Sequence, residues 1–182
     1  MRTGSGSRTD GASGAVTVRP GTAADAPAIA ALYRAVAIVP GGIARAPEEV
    51  TAEYVNGFVA RSLARGVILV AERDGLPGLA GELHAYRSEL QVFAHVLGEL
   101  TVAVHPMAQG QGIGHRLFVT LLDLVTRELP DITRVELITQ EGNHRALRLY
   151  EGLGFRREGR LAGRIRQPDG TLDADIPLAW LR

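Results

Sequence analysis

The chain contains no cysteine. That absence removes disulfides, thiolate metal sites and a cysteine nucleophile together, and leaves the redox compartment unread. Net charge is absent as well, because 20 Lys and Arg offset 20 Asp and Glu. No global basic field therefore draws in nucleic acid or an anionic membrane, although a local patch still suits a phosphate. No apolar run approaches the roughly 20 residues that a membrane-spanning helix needs. The five histidines share no helix face and have no acidic ligands beside them, so no metal is implied. No internal repeat and no interior linker divides the sequence. These exclusions lead us to expect a cytoplasmic protein with neither a nucleic-acid nor a membrane partner.

What is present suits one domain, since 182 residues bury an ample core. The first 14 residues, MRTGSGSRTDGASG, have no apolar centre and no cleavage pattern. They read as a flexible tail rather than a signal peptide, which leaves 15–182 as the domain. AVTVRP reads as a strand ended by Pro20, and Thr22 and Asp25 mark a helix start with Pro27 in its first turn. Behind Pro47, Val50, Tyr54, Phe58 and Leu63 recur near helical spacing toward Gly66. GVILVAERDG, LAGELHAY and GELTVAVHP then read as three antiparallel strands. Ile113, Leu117, Leu121, Val125 and Leu129 line one face of a helix ended by Pro130. RVELITQ follows as a strand expected to pair in parallel with the one before that helix. Asn143 caps a further helix with Ala146, Leu147, Tyr150 and Leu153 inward and Gly154 as its stop, and QPDG joins a final hairpin. The order is β-α-α-β-β-β-α-β-α-β-β, an α/β (α+β) fold on a mixed central sheet.

The chemistry concentrates at QGQGIG, residues 109–114, between a strand and a helix. A helix start leaves N–H groups unpaired and carries about half a positive charge, and glycines let a bulky anion reach those donors. The loop is thus a candidate phosphate cradle, or else simply a tight turn. A nucleotide-triphosphatase loop needs Lys then Ser or Thr, where this chain has His115 and Arg116. The dinucleotide fingerprint needs a different glycine spacing and an early βαβ unit.

Some thirty residues on stands NHRALRLYEGLGF. With it the sequence resembles the GNAT superfamily of acyl-CoA N-acyltransferases. Gln109, Gly112 and Gly114 match the signature Q/R-x-x-G-x-G/A, and Asn143, Ala146, Tyr150, Gly154 and Phe155 match N-x-x-A-x-x-x-Y-x-x-x-G-F. The resemblance extends from about residue 15 to the end of the sequence. The ending YEGLGFRREGR…IRQPDGTLDADIPLAW is similar to the branch that acts on free amino acids and peptide N-termini. VRPGTAADAPAIAALY is similar to the phosphinothricin acetyltransferases.

The resemblance implies acetyl-CoA as cofactor. Its pyrophosphate falls to the backbone amides of Gly110, Gln111, Gly112, Ile113, Gly114 and His115. Its pantetheine falls to the strand around Val102, Ala103 and Val104. Gln109, Asn143 and Ala146 complete the cofactor-binding set. The fourth and fifth strands must splay to admit a thioester, with a β-bulge expected near residues 101–103. Arg116, Arg145 and Arg148 are candidates for the ribose phosphate. The implied reaction is direct attack by an amine on the thioester in a ternary complex.

Tyr150 matches the family's acid for the departing thiolate, with inward packing as its alternative role. Glu99 matches a glutamate that some relatives use through a water as base. Strand parity turns Glu99 away from Val102 and Val104 unless a bulge intervenes. Glu136 competes with it, and His84 and His95 follow. The expected acceptor is a primary amine of an amino acid or related small molecule, or a peptide N-terminus, because α-amines are far less protonated at neutral pH than lysine side chains. Arg156, Arg157, Arg160, Arg164 and Arg166 suit either a substrate carboxylate or a solvated edge strand. The remaining alternatives are a catalytically silent acyl-CoA-binding regulator and a structural interaction module. A homodimer fits the family, although no dimer seam is legible in the sequence.

Overall fold

The computed structural model describes residues 14–39, 41–167 and 169–182. All of the expected N-terminal tail except Gly14 lies outside them. Strand β1 (Val16–Pro20) leads into a 3-10 turn at Ala23–Asp25 and helix α1 (Ala26–Ala37). The entry is pinned by Asp25, whose carboxylate accepts from Thr22 N at 2.8 Å and from both Arg19 terminal nitrogens. The Arg19 guanidinium holds the Asp25 carboxyl well below the usual carboxylate range. A second 3-10 turn, Pro47–Glu49, precedes α2 (Ala52–Arg65), which is capped by Thr51 accepting from Tyr54 N at 3.1 Å. Leu63, expected on the inner face of this helix, is instead exposed, because Val55, Phe58, Val59 and Ser62 make up its buried stripe.

Strands β2 (Gly66–Arg73), β3 (Gly81–Tyr86) and β4 (Val96–Val104) form the antiparallel meander read from the sequence. Helix α3 (Ile113–Glu128) returns the chain to β5 (Arg134–Gln140), which pairs with β4 in parallel. After α4 (His144–Gly152) come β6 (Arg156–Arg157), β7 (Leu161–Arg166) and β8 (Leu172–Leu181). The sheet order is β1-β2-β3-β4-β5-β8-β6, with β7 also on β8.

Two apolar layers cover the two faces of the sheet. On one face Leu117, Phe118, Leu121 and Val125 of α3 meet Leu83, Leu97, Val135, Leu147 and Leu178. On the other, α1 and α2 bury Ile29, Tyr33, Phe58 and Val59 against Ile68, Val70 and Ala103. Gly81 sets how closely α3 approaches, since a Cβ there would lie 2.9 Å from Ile113 and 3.1 Å from Leu117.

The expected splay of β4 from β5 is present. The parallel ladder has two rungs, Val96 to Arg134 and Leu97 to Val135, while β4 continues along β3 as far as Val104 opposite Gly81. The β-bulge that bends β4 lies earlier than the expected 101–103. The register against β3 shifts between Gly98 opposite Tyr86 and Thr101 opposite His84. Within it Glu99 takes φ +50°, the one positive φ of a non-glycine among the described residues. A bulge bends its own strand and raises its twist, which opens the sheet at this point.

Candidate active site

The splay opens a cleft of about 470 Å³ whose walls come mostly from five segments. Leu100, Thr101, Val102 and Val104 of β4 form one side, and Leu137 to Gln140 of β5 form the other. The glycine loop and the start of α3, the first two turns of α4, and Val36, Val39 and Gly41 to Ala44 supply the rest.

The loop has the geometry that an approaching anion needs. Gly110 and Gly112 have φ +81° and +77°, and a Cβ at either would meet nothing within 4 Å. The left-handed backbone and the open approach are the two conditions under which glycine serves a ligand rather than packing. Arg116 N bonds Gly112 O at 3.0 Å, whereas the amides of Gly110 to His115 find no protein acceptor among the described residues. These donors, at the positive end of a 16-residue helix, face the cleft with Gln109, Ile113, Gly114 and His115 among its lining residues. Asn143 and Ala146 also line the cleft, and Asn143 Oδ1 accepts from Ala146 N at 3.1 Å as the cap of α4.

Not every expected cofactor contact lies on the cleft wall. Val102 and Val104 do, but Ala103 points to the opposite face and is buried under α1 and α2. Gln111 is exposed and donates to Met107 O at 3.2 Å. Of the phosphate-binding arginine candidates, Arg145 lines the cleft, Arg116 is engaged with Val16 O, and Arg148 is exposed elsewhere.

Tyr150 enters the cleft from α4. Its ring packs 5.1 Å from Phe118 and 6.1 Å from Phe155, centroid to centroid, and 6 % of the residue is exposed. Its hydroxyl has no hydrogen-bond partner among the described residues, although buried phenols ordinarily find one. Burial pushes the phenol up to about 12, so it keeps its proton at neutral pH.

The carboxylates and histidines named from the sequence stand apart from this wall. Glu99 is exposed at the bulge and does not line the cleft. Glu136 Oε2 accepts from Arg134 Nε at 2.8 Å, and that arginine also holds Glu158. His95 is exposed. His84 is buried beneath α1 and α2, its ring stacked 4.0 Å from Phe58. There it joins Tyr33 and Glu82, neither of which the sequence reading singled out. Tyr33 donates to Glu82 Oε2 at 2.7 Å, and His84 Nδ1 lies 3.1 Å from Glu82 Oε1. A glutamate and a histidine two residues apart in the otherwise apolar LAGELHAY were the available signal, because both point to one buried face.

Among the basic residues of the last hairpin, Arg157 pairs with Glu151, Arg160 with Glu141, and Arg164 with Asp175. Asp175 was also missed by the sequence reading, and it lines the cleft.

A family model of the GNAT acetyltransferases matches residues 42–155. The chain belongs to the GNAT acetyltransferase family. This GNAT protein is an acyltransferase, and its cofactor is acetyl-CoA. It is 29% identical over 142 residues to the L-amino acid N-acyltransferase MnaT of Escherichia coli K12, covering 77% of this chain and 79% of that protein. It resembles a GCN5-related N-acetyltransferase of Kribbella flavida at TM-score 0.74 and 26% identity, over 92% of this chain and 98% of that one. It shares the fold of yncA from Salmonella typhimurium, solved with its cofactor acetyl-CoA, at TM-score 0.72 and 22% identity over 91% and 93% of the two chains. The residues present fit the cofactor, since the glycine loop offers unpaired amides where a pyrophosphate needs them and no Cβ fills the space. Among the described residues no helix is long and apolar enough to cross a membrane, and no cluster of three metal-ligating side chains occurs.

Proposed function

We propose that this GNAT acetyltransferase acetylates a primary amine of an amino acid, a related small molecule or a peptide N-terminus by direct attack in a ternary complex. The observation that carries the reading is the conjunction, in one cleft, of unpaired loop amides, a splayed strand pair and an unpartnered tyrosine hydroxyl. The relative named for acylating L-amino acids covers most of both chains, which supports an amino-acid acceptor.

Acetyl-CoA supplies an acyl group already activated as a thioester. The amides of Gly110 to His115 hold the pyrophosphate end. The β4 edge from Gly98 onward, free of β5, offers backbone groups along Val102 to Val104 to an extended chain. This two-ended hold fixes the thioester between the strands, so the attack is made at high effective concentration. Tyr150 Oη, still protonated, donates toward the sulfur that departs as thiolate. Glu99 is the base candidate through an intervening water, which its exposed place on the bulge allows without direct contact. A side chain held at φ +50° fits such a role, because backbone strain of this kind collects at working sites.

The test is a panel of amino acids, small amines and short peptides incubated with acetyl-CoA, reading free thiol and acetylated product together. Amine-dependent thiol release with equal product supports the reading. Binding of acetyl-CoA with no amine-dependent release would make the protein a silent cofactor-binding module.

A further inference from the structure

The cleft carries one carboxylate that cofactor binding leaves unexplained. His115 and Arg145 are its basic lining residues, and Asp175, opposite Gln140 at the end of β5 that leads to Arg145, is the one carboxylate among the described lining residues. Its position on β8 follows from strand alternation. Ala174 and Ile176 are buried, the latter among the α3 and α4 packing, so Asp175 faces the other way, toward the acceptor side of the sheet.

This carboxylate is 15% exposed, yet it accepts no hydrogen bond from a described residue, and its contact is an ion pair with Arg164 Nε at 3.5 Å. A half-exposed arginine at that distance leaves most of the acceptor capacity of the carboxylate unused. The arginine owes its position to a second bulge. The register of β7 against β8 shifts between Leu161 opposite Asp175 and Ile165 opposite Asp173, with Gly163 at φ +65° inside the shift. Bulges re-aim side chains, and this one brings the Arg164 side chain beside Asp175 at the cleft edge.

The strand order decides what Asp175 is for. The thioester slot lies between β4 and β5, and Asp175 pairs with Gln140 on the far side of β5. A group on Asp175 therefore sits at least one further strand spacing of about 5 Å from the slot, with a further offset along β5 because Gln140 lies five residues past the last rung at Val135. A carboxylate touching the attacking amine would hold it as ammonium and oppose attack. At this remove it can hold a cation without that penalty.

We infer that Asp175 binds a second, non-reacting cationic group of the acceptor, so that the preferred substrate carries two basic nitrogens separated by a chain of at least roughly three to four carbons. This rests on the acetyltransferase reading above and narrows its acceptor class. Val36, Val39, Ile43 and Ile138 supply apolar wall for the connecting methylenes. Arg164 yields the carboxylate when the acceptor's ammonium arrives.

The test compares 1,4-diaminobutane with 1-aminobutane, and L-ornithine with L-norvaline, in wild type and Asp175→Asn. A charge-assisted hydrogen bond in a partly buried site corresponds to roughly 10- to 100-fold in affinity. Wild type should prefer each diamino compound by about that factor in kcat/KM. Asp175→Asn should erase the preference, change the monoamines by less than about threefold, and leave acetyl-CoA affinity unchanged. Equal loss for both members of a pair, or wild-type preference for the monoamine, overturns the inference. So does loss of L-norvaline use in Arg164→Gln with 1-aminobutane unaffected, which would make the pair a carboxylate clamp. If no amine is turned over, the acetyltransferase reading fails while this one is still decided. Calorimetry with 1,4-diaminobutane in the presence of coenzyme A should show binding that Asp175→Asn removes, and no binding, or equal binding by both proteins, contradicts it.

Discussion

Leu97 of β4 and Val135 of β5 form the last rung of their parallel ladder. Both are fully buried, so the sheet is held firmly at the point where it divides. One residue later Gly98 begins the bulge, and β4 follows β3 alone to Val104. The cleft is thus a consequence of one irregularity in an otherwise regular ladder. The glycine loop and α4 then supply further wall to the cleft.

The cradle is tested at Gly112. A Cβ there meets no atom within 4 Å, so Gly112→Val produces no clash inside the protein, although the left-handed φ of +77° strains a β-branched residue by about 1–2 kcal/mol. Acetyl-CoA affinity should fall at least about tenfold, a change of 1.4 kcal/mol. Gly112→Asn tolerates this backbone better, which separates strain from obstruction. Calorimetry with undiminished acetyl-CoA binding in a folded Gly112→Val protein would remove the loop from the cofactor site.

Glu99 yields two readouts from one strained position. Relieving φ +50° with Glu99→Gly should raise the midpoint of urea unfolding by the equivalent of about 1 kcal/mol. Glu99→Gln keeps the shape and removes the charge. If Glu99 relays the proton of the amine, its turnover defect should be greatest at low pH and shrink toward the pKa of the amine. A defect equal at all pH values assigns Glu99 a structural role, and no defect returns the proton to solvent.

Alkaline stability should depend on two buried phenols. Burial raises Tyr150 to about 12, and burial together with the neighbouring Glu82 raises Tyr33 well above its ordinary value. Above pH 10 the unfolded chain loses these protons while the folded chain keeps them, so stability falls as pH rises through 10 and is intact below it. Tyr150 alone accounts for about 2–3 kcal/mol lost by pH 12. Urea unfolding at pH 8 and pH 11 should show Tyr150→Phe losing less than wild type over this interval, with little cost at pH 8 because its hydroxyl has no partner among the described residues. Tyr33→Phe should already cost about 1.5–3 kcal/mol at pH 8, because it strips a hydrogen bond from the buried Glu82 carboxylate. An unchanged pH 8 to pH 11 difference in both variants would contradict this assignment.

The parts of the site legible in the sequence are those whose chemistry demands a particular local pattern. The alternating glycines before an amphipathic helix, and an asparagine cap seven residues before Tyr150, announce backbone geometry directly. The splay was legible only through the family resemblance, and its bulge was placed about two residues late. No composition rule marks Glu99 as the left-handed residue, since glutamate has no preference for that backbone. Asp175 was missed for a different reason. In LDADIPLAW its alternation with Ala174 and Ile176 shows that it leaves the core, but which cleft it enters depends on β8 lying beside β5, a long-range pairing. The network of Tyr33, Glu82 and His84 likewise joins α1 to β3 across about fifty residues.

The most direct measurement of the central claim is turnover by Tyr150→Phe where acyl transfer limits the rate. The variant keeps the ring against Phe118 and Phe155 and removes the unpartnered hydroxyl alone. If that hydroxyl protonates the departing sulfur, kcat falls by roughly 10²- to 10⁴-fold, acetyl-CoA affinity barely changes, and the deficit narrows with an acyl donor of more acidic thiol. Near-wild-type kcat in the folded variant would contradict the account, leaving Tyr150 as packing and solvent as the acid.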